Sequence, residues 1–151
     1  MKQPTIQHAF KEWAVICRAL AQGMQALILR KGGIAEKGGA FQLEHKRFWL
    51  YPTYAHQQED DIKVDAHPLL EQANASRPLA GIVRLSHWAE VAGVYQLHDL
   101  VAALKLNDLH IWSIETVQSR FAYRAPGLIA LVARVWKAKK PIELPETPAY
   151  A

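Results

Sequence analysis

Residues 10–30, FKEWAVICRALAQGMQALILR, carry the choice on which the fold of this chain turns. Phe10, Trp13, Ile16, Cys17 and Leu20 recur at three- and four-residue spacing, which sets them on one face of a helix. Gly23 then acts as a C-terminal stop. A strand over WAVIC, residues 13–17, competes, because Val and Ile favour extended backbone. Helix and strand therefore both stay open over residues 10–22. Gln25 to Arg30 reads as a strand that ends in a Gly32-Gly33 turn.

Working outward, Phe41–Leu43 and Arg47–Tyr51 read as strands interrupted near Glu44–Lys46. Pro52 ends pairing or marks a sheet edge. Residues 55–79 read as polar and irregular, with a short helix around Leu69–Ala73; a long loop in a compact domain is often functional. Residues 81–91 predict a strand. Leu97, Leu100, Val101 and Leu104 form one helical stripe. Residues 110–121 predict a short strand and then a helix capped by Ser113, with Glu115 favoured by the dipole of its first turn. Residues 127–144 give the strongest β signal. Helices and strands do not alternate regularly, which favours α+β over a doubly wound fold. The expectation is one domain over residues 1–151, with an extended tail from about 145. Its sheet is expected to be mixed or mainly antiparallel, barrel-like and flanked by helices.

With 151 residues, 50% hydrophobic and 21% charged, the chain is long enough for a sizeable core. No apolar run approaches the ~20 residues that span a bilayer. The first ten residues lack the apolar region of a secretory signal. A cytoplasmic location without membrane contact is the expectation. The single cysteine, Cys17, excludes an internal disulfide and a multi-cysteine zinc site. The formal net charge is +4. Acids concentrate at Glu59, Asp60, Asp61 and Asp65, which leaves the rest more basic. That polarity suits a polyanionic partner, although a solvated surface explains most such clusters.

Three constellations have chemical meaning. Arg47, Trp49 and Tyr51 alternate onto one strand face, with Phe48 and Leu50 on the other. Aromatic rings beside a cation are what holds an exposed base. Tyr54 and His56 would extend that wall, and Arg30 and Lys31 would reach phosphates. The alternative is that Trp49 and Tyr51 are simply packed. The second constellation is Asp61-Ile62-Lys63, an acid-x-Lys pair. With Glu44 or Glu36 upstream it matches the carboxylates and lysine of a metal-dependent nuclease. EDDIKVD is polar for a buried strand, and a solvated loop is its plainer reading. The third is His56, Asp65 and His67, donors suited to Zn²⁺ or Fe²⁺; seven histidines make such a coincidence easy. No dinucleotide or Walker loop and no serine-hydrolase elbow is present. No cofactor is expected.

Residues 10–41, FKEWAVICRALAQGMQALILRKGGIAEKGGAF, together with FWLYPTYAHQ and LHIWSIETVQSRFAYR, resemble a bacterial family known only as domain of unknown function eighteen-zero-two. The resemblance runs from about Phe10 to Leu144 and implies no activity. At the level of pattern the chain is also similar to PUA-like domains, including ASCH and EVE domains. These have a helix ending in glycine and a strand with a terminal Arg, as in ICRALAQGMQALILR, and a closing strand like LVARVWKAKKPIEL. That similarity implies a small β-barrel with flanking helices and binding of RNA or modified bases.

The leading expectation is thus a domain that binds RNA, single-stranded DNA or a nucleotide through Arg30, Lys31, Arg47, Trp49, Tyr51, Tyr54 and His56. The alternatives are a nuclease using Glu44, Asp61 and Lys63, and a non-enzymatic protein-interaction module. Whether the chain is an enzyme, and its oligomeric state, stay open.

Overall fold

The N-terminal segment divides between the two conformations. In the computed structural model, which describes residues 5–31 and 45–146, strand β1 (Ala9–Trp13) passes directly into helix α1 (Ala14–Ala21). The strand lies earlier than WAVIC, and the helical face begins only after Trp13. Helix α1 buries Ala14, Val15, Ile16, Cys17, Ala19 and Leu20 and keeps Arg18 half-exposed. It stops as predicted. Gly23 takes φ +77°, a left-handed value that costs glycine least. The Met24 N–H then donates back to the Ala19 carbonyl at 2.9 Å.

Strands β2 (Leu27–Arg30), β3 (Arg47–Thr53), β4 (Ile82–Leu97) and β5 (Leu128–Pro145) join β1 in one sheet of order β1-β3-β4-β5-β2. Only β1 and β3 run parallel, so the sheet is mixed, as expected. The long β4–β5 ribbon shifts register between Leu85 and His87 and again between Val91 and Gly93. Bulges of this kind bend a strand and increase its twist. The outcome is a sheet whose two ends meet. β1 and β2 are its opposite edges, yet Arg30 Nη1 donates to the Lys11 carbonyl at 3.0 Å. Among the described residues no backbone ladder joins these edges. The sheet is barrel-like but open, with a seam between β1 and β2.

Strand β3 feeds two apolar layers, because successive side chains point to opposite faces. Phe48 and Leu50 enter the larger core with Val15, Ile16, Ile28, Val117 and Leu131. Trp49 and Tyr51 enter a smaller one with Val83, Leu85, Trp88 and Ala138, against which Ile6 and Leu144 pack. Pro52 falls where the β3–β4 ladder, Arg47–Trp49, has already ended and only β1 pairs with the strand. A residue without an N–H is tolerated there.

Helices α2 (His67–Ala75), α3 (Leu100–Leu104) and α4 (Ile114–Ala122) flank the sheet. Residues 55–79 are more ordered than their polarity suggests. They form two 3₁₀ turns, Glu59–Asp61 and Val64–Ala66, and then α2, which has Pro68 in its first turn. β4 continues to Leu97, so α3 begins only after Asp99, whose Oδ1 accepts the Val101 N–H at 2.8 Å. The strand expected at 110–112 is reduced to one bridge, Trp112 with Ile62. Ser113 caps α4 as predicted: its Oγ accepts the Thr116 N–H at 3.2 Å. Among the described residues no helix is long and apolar enough to cross a membrane.

Candidate functional site: a cleft at the open seam

A cleft of about 350 Å³ opens at the seam, lined by Lys11, Glu12 and Trp13 of β1, Leu29 and Arg30 of β2, Lys31, Thr53, Trp112 and Arg120. It exists because the sheet curls without closing. Glu12 is the unusual group. It shares its strand face with Phe10, which packs on the larger core, so its carboxyl is carried inward. Only 8% of the residue is exposed. Burial raises its pKa from 4.5 to about 7, against the opposing pull of the Trp13 N–H bond, Arg30 and Arg120. Glu12 Oε1 accepts that N–H at 2.9 Å. A carboxyl near neutrality can accept a hydrogen bond in one state and donate one in the other.

Two guanidinium groups flank it. Arg30 stacks over the Phe10 ring, 4.2 Å from its centroid, while bonding to Lys11. Arg120, exposed on the last turn of α4, lies 5.7 Å from the Trp13 ring centroid. Trp13 and Trp112 meet with centroids 6.4 Å apart, tilted by 51°. Trp112 is buried, and its indole Nε1–H finds no acceptor among the described residues. An unmet buried donor costs about 1–3 kcal/mol and calls for a partner. His110 Nε2, two residues away, is unmet too. His110 Nδ1 accepts the Trp112 N–H at 3.1 Å, which assigns the proton to Nε2. Burial, with Lys63 adding to it, lowers the His110 pKa from 6.5 to about 4.

Of the residues expected from sequence, Arg30 and Lys31 reach this cleft and the others do not. The Lys31 ammonium closes the C-terminal end of α4: it donates to the carbonyls of Phe121 at 2.7 Å, of Gly127 at 2.9 Å and of Ala125. Desolvation lowers its pKa. Arg47 faces Glu90 across the ladder and pairs with it at 2.6 Å. Trp49 and Tyr51 are each 5% exposed. The Trp49 indole donates to the Ile6 carbonyl at 3.2 Å. Their alternation away from Phe48 is as predicted, and both border a separate hollow of about 580 Å³ with Lys11, whose Nζ lies 5.4 Å from the Tyr51 ring centroid; Arg30 is not in its lining, so these rings do not form a mouth with Arg30. Tyr54 lines a different cavity, with Arg77 4.9 Å from its ring centroid. His56 is exposed in a left-handed turn, φ 68°.

The alternative sites fare similarly. Lys63 donates to the carbonyls of His110, at 2.8 Å, and Asn107, and so holds the segment before α4. Asp61 Oδ2 accepts the Gln58 N–H at 3.2 Å. Glu44 and Glu36 lie outside the described residues. Among those described, no three His, Cys, Asp or Glu side chains converge to hold a metal, so His56, Asp65 and His67 are not brought together. His67 Nε2 instead lies 2.9 Å from the Glu59 carbonyl. The exposed apolar residues Val94, Tyr95, Trp136 and Ile142, which an interaction module would use, are strung along the β4–β5 ribbon.

Glu12 and Trp13 were not singled out as site residues by sequence reasoning; from sequence Trp112 reads as an anchor between helix and sheet, and Arg120, with Arg124, as a surface pair that could join an anion site. A signal existed for Glu12: as a strand, Phe10 and Glu12 share a face, which puts a carboxylate where an apolar residue belongs.

The curled mixed sheet with flanking helices has the fold of ASCH domains, which are PUA-like. A crystal structure of ASCH from Zymomonas mobilis superposes with a TM-score of 0.52 at 14% identity, covering 93% of this chain and 73% of that one. Two mutant proteins of the same ASCH, one with a serine replaced by alanine and one with a tyrosine replaced by phenylalanine, each superpose with a TM-score of 0.51, at 15% and 12% identity. They cover 89% and 93% of this chain and 69% and 75% of theirs. The chain itself belongs to the family described as domain of unknown function (DUF1802), whose profile matches residues 9–151. No curated protein matches its sequence.

Proposed function

We propose that the seam cleft binds one nucleotide unit, either within single-stranded nucleic acid or free. The base stacks on the half-buried Trp13 ring, where Arg120 now lies. The Trp112 indole N–H donates to an acceptor on the base, and Glu12 reads an adjacent edge position. Arg30, Arg120 and Lys11 hold phosphate, the arginines through guanidinium forks with donors to spare. The observation that carries this reading is the convergence in one cleft of a buried carboxyl, two guanidinium groups and the rings of Trp13 and Trp112, the latter with an unmet, buried indole N–H behind the lining. The buried Glu12 carboxyl and the unmet Trp112 N–H are costly there without a ligand. The PUA-like resemblance points the same way, as analogy of fold.

Fluorescence anisotropy with a short labelled single-stranded RNA tests it. Arg120→Gln, an exposed change, and Trp13→Ala are each expected to weaken binding by roughly tenfold or more, about 1–3 kcal/mol for a stacked base. Wild-type affinity in both variants would remove the cleft from the binding surface.

A further inference from the structure

A second cavity, of about 310 Å³, lies on the other side of the end of β3. Pro52 and Tyr54 line it, whereas Thr53 between them lines the seam cleft. Its charge has one sign. Arg18 of α1, Arg84 of β4 and Lys137 of β5 line it, and among the described residues no acid does. Arg84 pairs with Glu143 at 3.0 Å. Arg18 and Lys137 have no such carboxylate among the described residues. Arg18 is nevertheless held in place, its Nη2 donating to Ser76 Oγ at 2.9 Å.

The backbone is also shaped toward this cavity. In a regular strand, consecutive side chains point to opposite faces. Ser86 and His87 are consecutive, yet both line the cavity. The register shift between Leu85 and His87 makes this possible, as bulges do when they re-aim a side chain. Ser86 Oγ and His87 Nδ1 lie 3.0 Å apart, which adds neutral hydrogen-bonding groups beside the cations. Burial, then Lys137 and Arg18, push the His87 pKa down, as a positive local field does.

We infer that this cavity binds a phosphomonoester, its dianionic phosphate held between Arg18 and Lys137 and hydrogen-bonded by Ser86. Two uncompensated cations match the charge of a monoester, whereas an internal phosphodiester has one negative charge. The guanidinium fork and the ammonium both suit phosphate oxygens. Tyr54 offers an aromatic wall for whatever the phosphate is attached to. The bearer is either a free mononucleotide or the phosphorylated end of an RNA strand. The inference does not depend on the seam cleft.

Calorimetric titration of the full chain with AMP, and with one short RNA bearing either a 5′-phosphate or a 5′-hydroxyl, separates the cases. Either AMP binds, or the phosphorylated RNA is preferred over its hydroxyl twin by about tenfold. AMP binding that Arg18→Gln and Lys137→Gln remove names the free nucleotide as the ligand of this cavity, and RNA preference alone names the strand end. Arg18→Gln and Lys137→Gln each abolish the effect, while Lys105→Gln, exposed and in the lining of neither cavity, leaves it intact. If no RNA binds because the seam proposal is wrong, the AMP titration alone decides this one. Absence of both effects in the wild-type protein would overturn the inference. So would an effect that survives the Arg18→Gln/Lys137→Gln double variant.

Discussion

Arg30, at the end of β2, donates from Nη1 to the main-chain carbonyl of Lys11 on β1, 3.0 Å away. The two strands are opposite edges of the sheet. One side chain therefore joins ends that, among the described residues, no backbone ladder joins, and it occupies an edge carbonyl that would otherwise be open to another strand. The same guanidinium stacks on Phe10 of β1. Arg30→Met is expected to lower stability by about 1–3 kcal/mol, the combined scale of a charged hydrogen bond and a cation–π contact. Arg30→Lys recovers only part of this, because an ammonium lacks the planar fork that stacks and bonds at once. Denaturant unfolding of the two variants measures both effects.

Glu12 makes stability fall with rising pH over a defined window. Its carboxyl has a pKa of about 7 in the folded chain, against an ordinary 4.5. Between those values the folded state holds a proton that the unfolded state has released, so stability declines as pH rises through the window. The full difference is on the order of 3 kcal/mol. Glu12→Gln removes this dependence. Its melting temperature is expected to exceed that of the wild type at pH 8, with the gap narrowing steadily toward pH 4.5. A gap that is constant with pH would place Glu12 in an ordinary solvated environment.

His110 works in the opposite direction. Its pKa is lowered from 6.5 to about 4, so the unfolded chain takes up a proton first as the solution is acidified. Its contribution is complete above pH 6.5 and is lost as pH falls toward 4. His110→Gln should flatten that acid limb of the stability profile. An unchanged slope between pH 6.5 and 4 in the variant would contradict this.

Trp49 is a core residue of the smaller apolar layer, so its role and that of Trp13 separate by experiment. Trp49→Ala is expected to cost about 3–5 kcal/mol, as large-to-small changes at buried aromatics do. Guanidinium chloride unfolding is the measurement. A loss below about 1 kcal/mol would mean that the ring is not packed as described, since surface changes fall in that range.

Local features of the fold were legible and long-range ones were not. Ser113 as a cap and Gly23 as a helix stop each depend on a few neighbouring residues, and both appear as expected. The alternation of residues 47–51 was legible too. Alternation separates two faces but does not say which is wet, and here Ile6 and Leu144 cover the second one. The spacing of Phe10, Trp13, Ile16 and Cys17 fits a helix even though the segment changes conformation at Ala14. Reading one period across that junction hid the buried carboxyl of Glu12. The cleft itself depends on β1 and β2, neighbours in sequence joined through α1, becoming the two outer edges of a sheet that β3, β4 and β5 curl until they meet, a relationship without a local signal.

The Trp112 indole N–H is the most direct reporter of the central claim. The chain has five tryptophans, each giving one indole resonance in a ¹⁵N-correlated proton spectrum. On titration with a short single-stranded RNA bearing a 5′-hydroxyl, the account predicts that the Trp112 and Trp13 indole signals move, with Trp112 shifting downfield as its N–H gains an acceptor. The signals of Trp49, Trp88 and Trp136 stay in place. RNA binding that moves Trp88 and Trp136 while Trp13 and Trp112 remain still would contradict it.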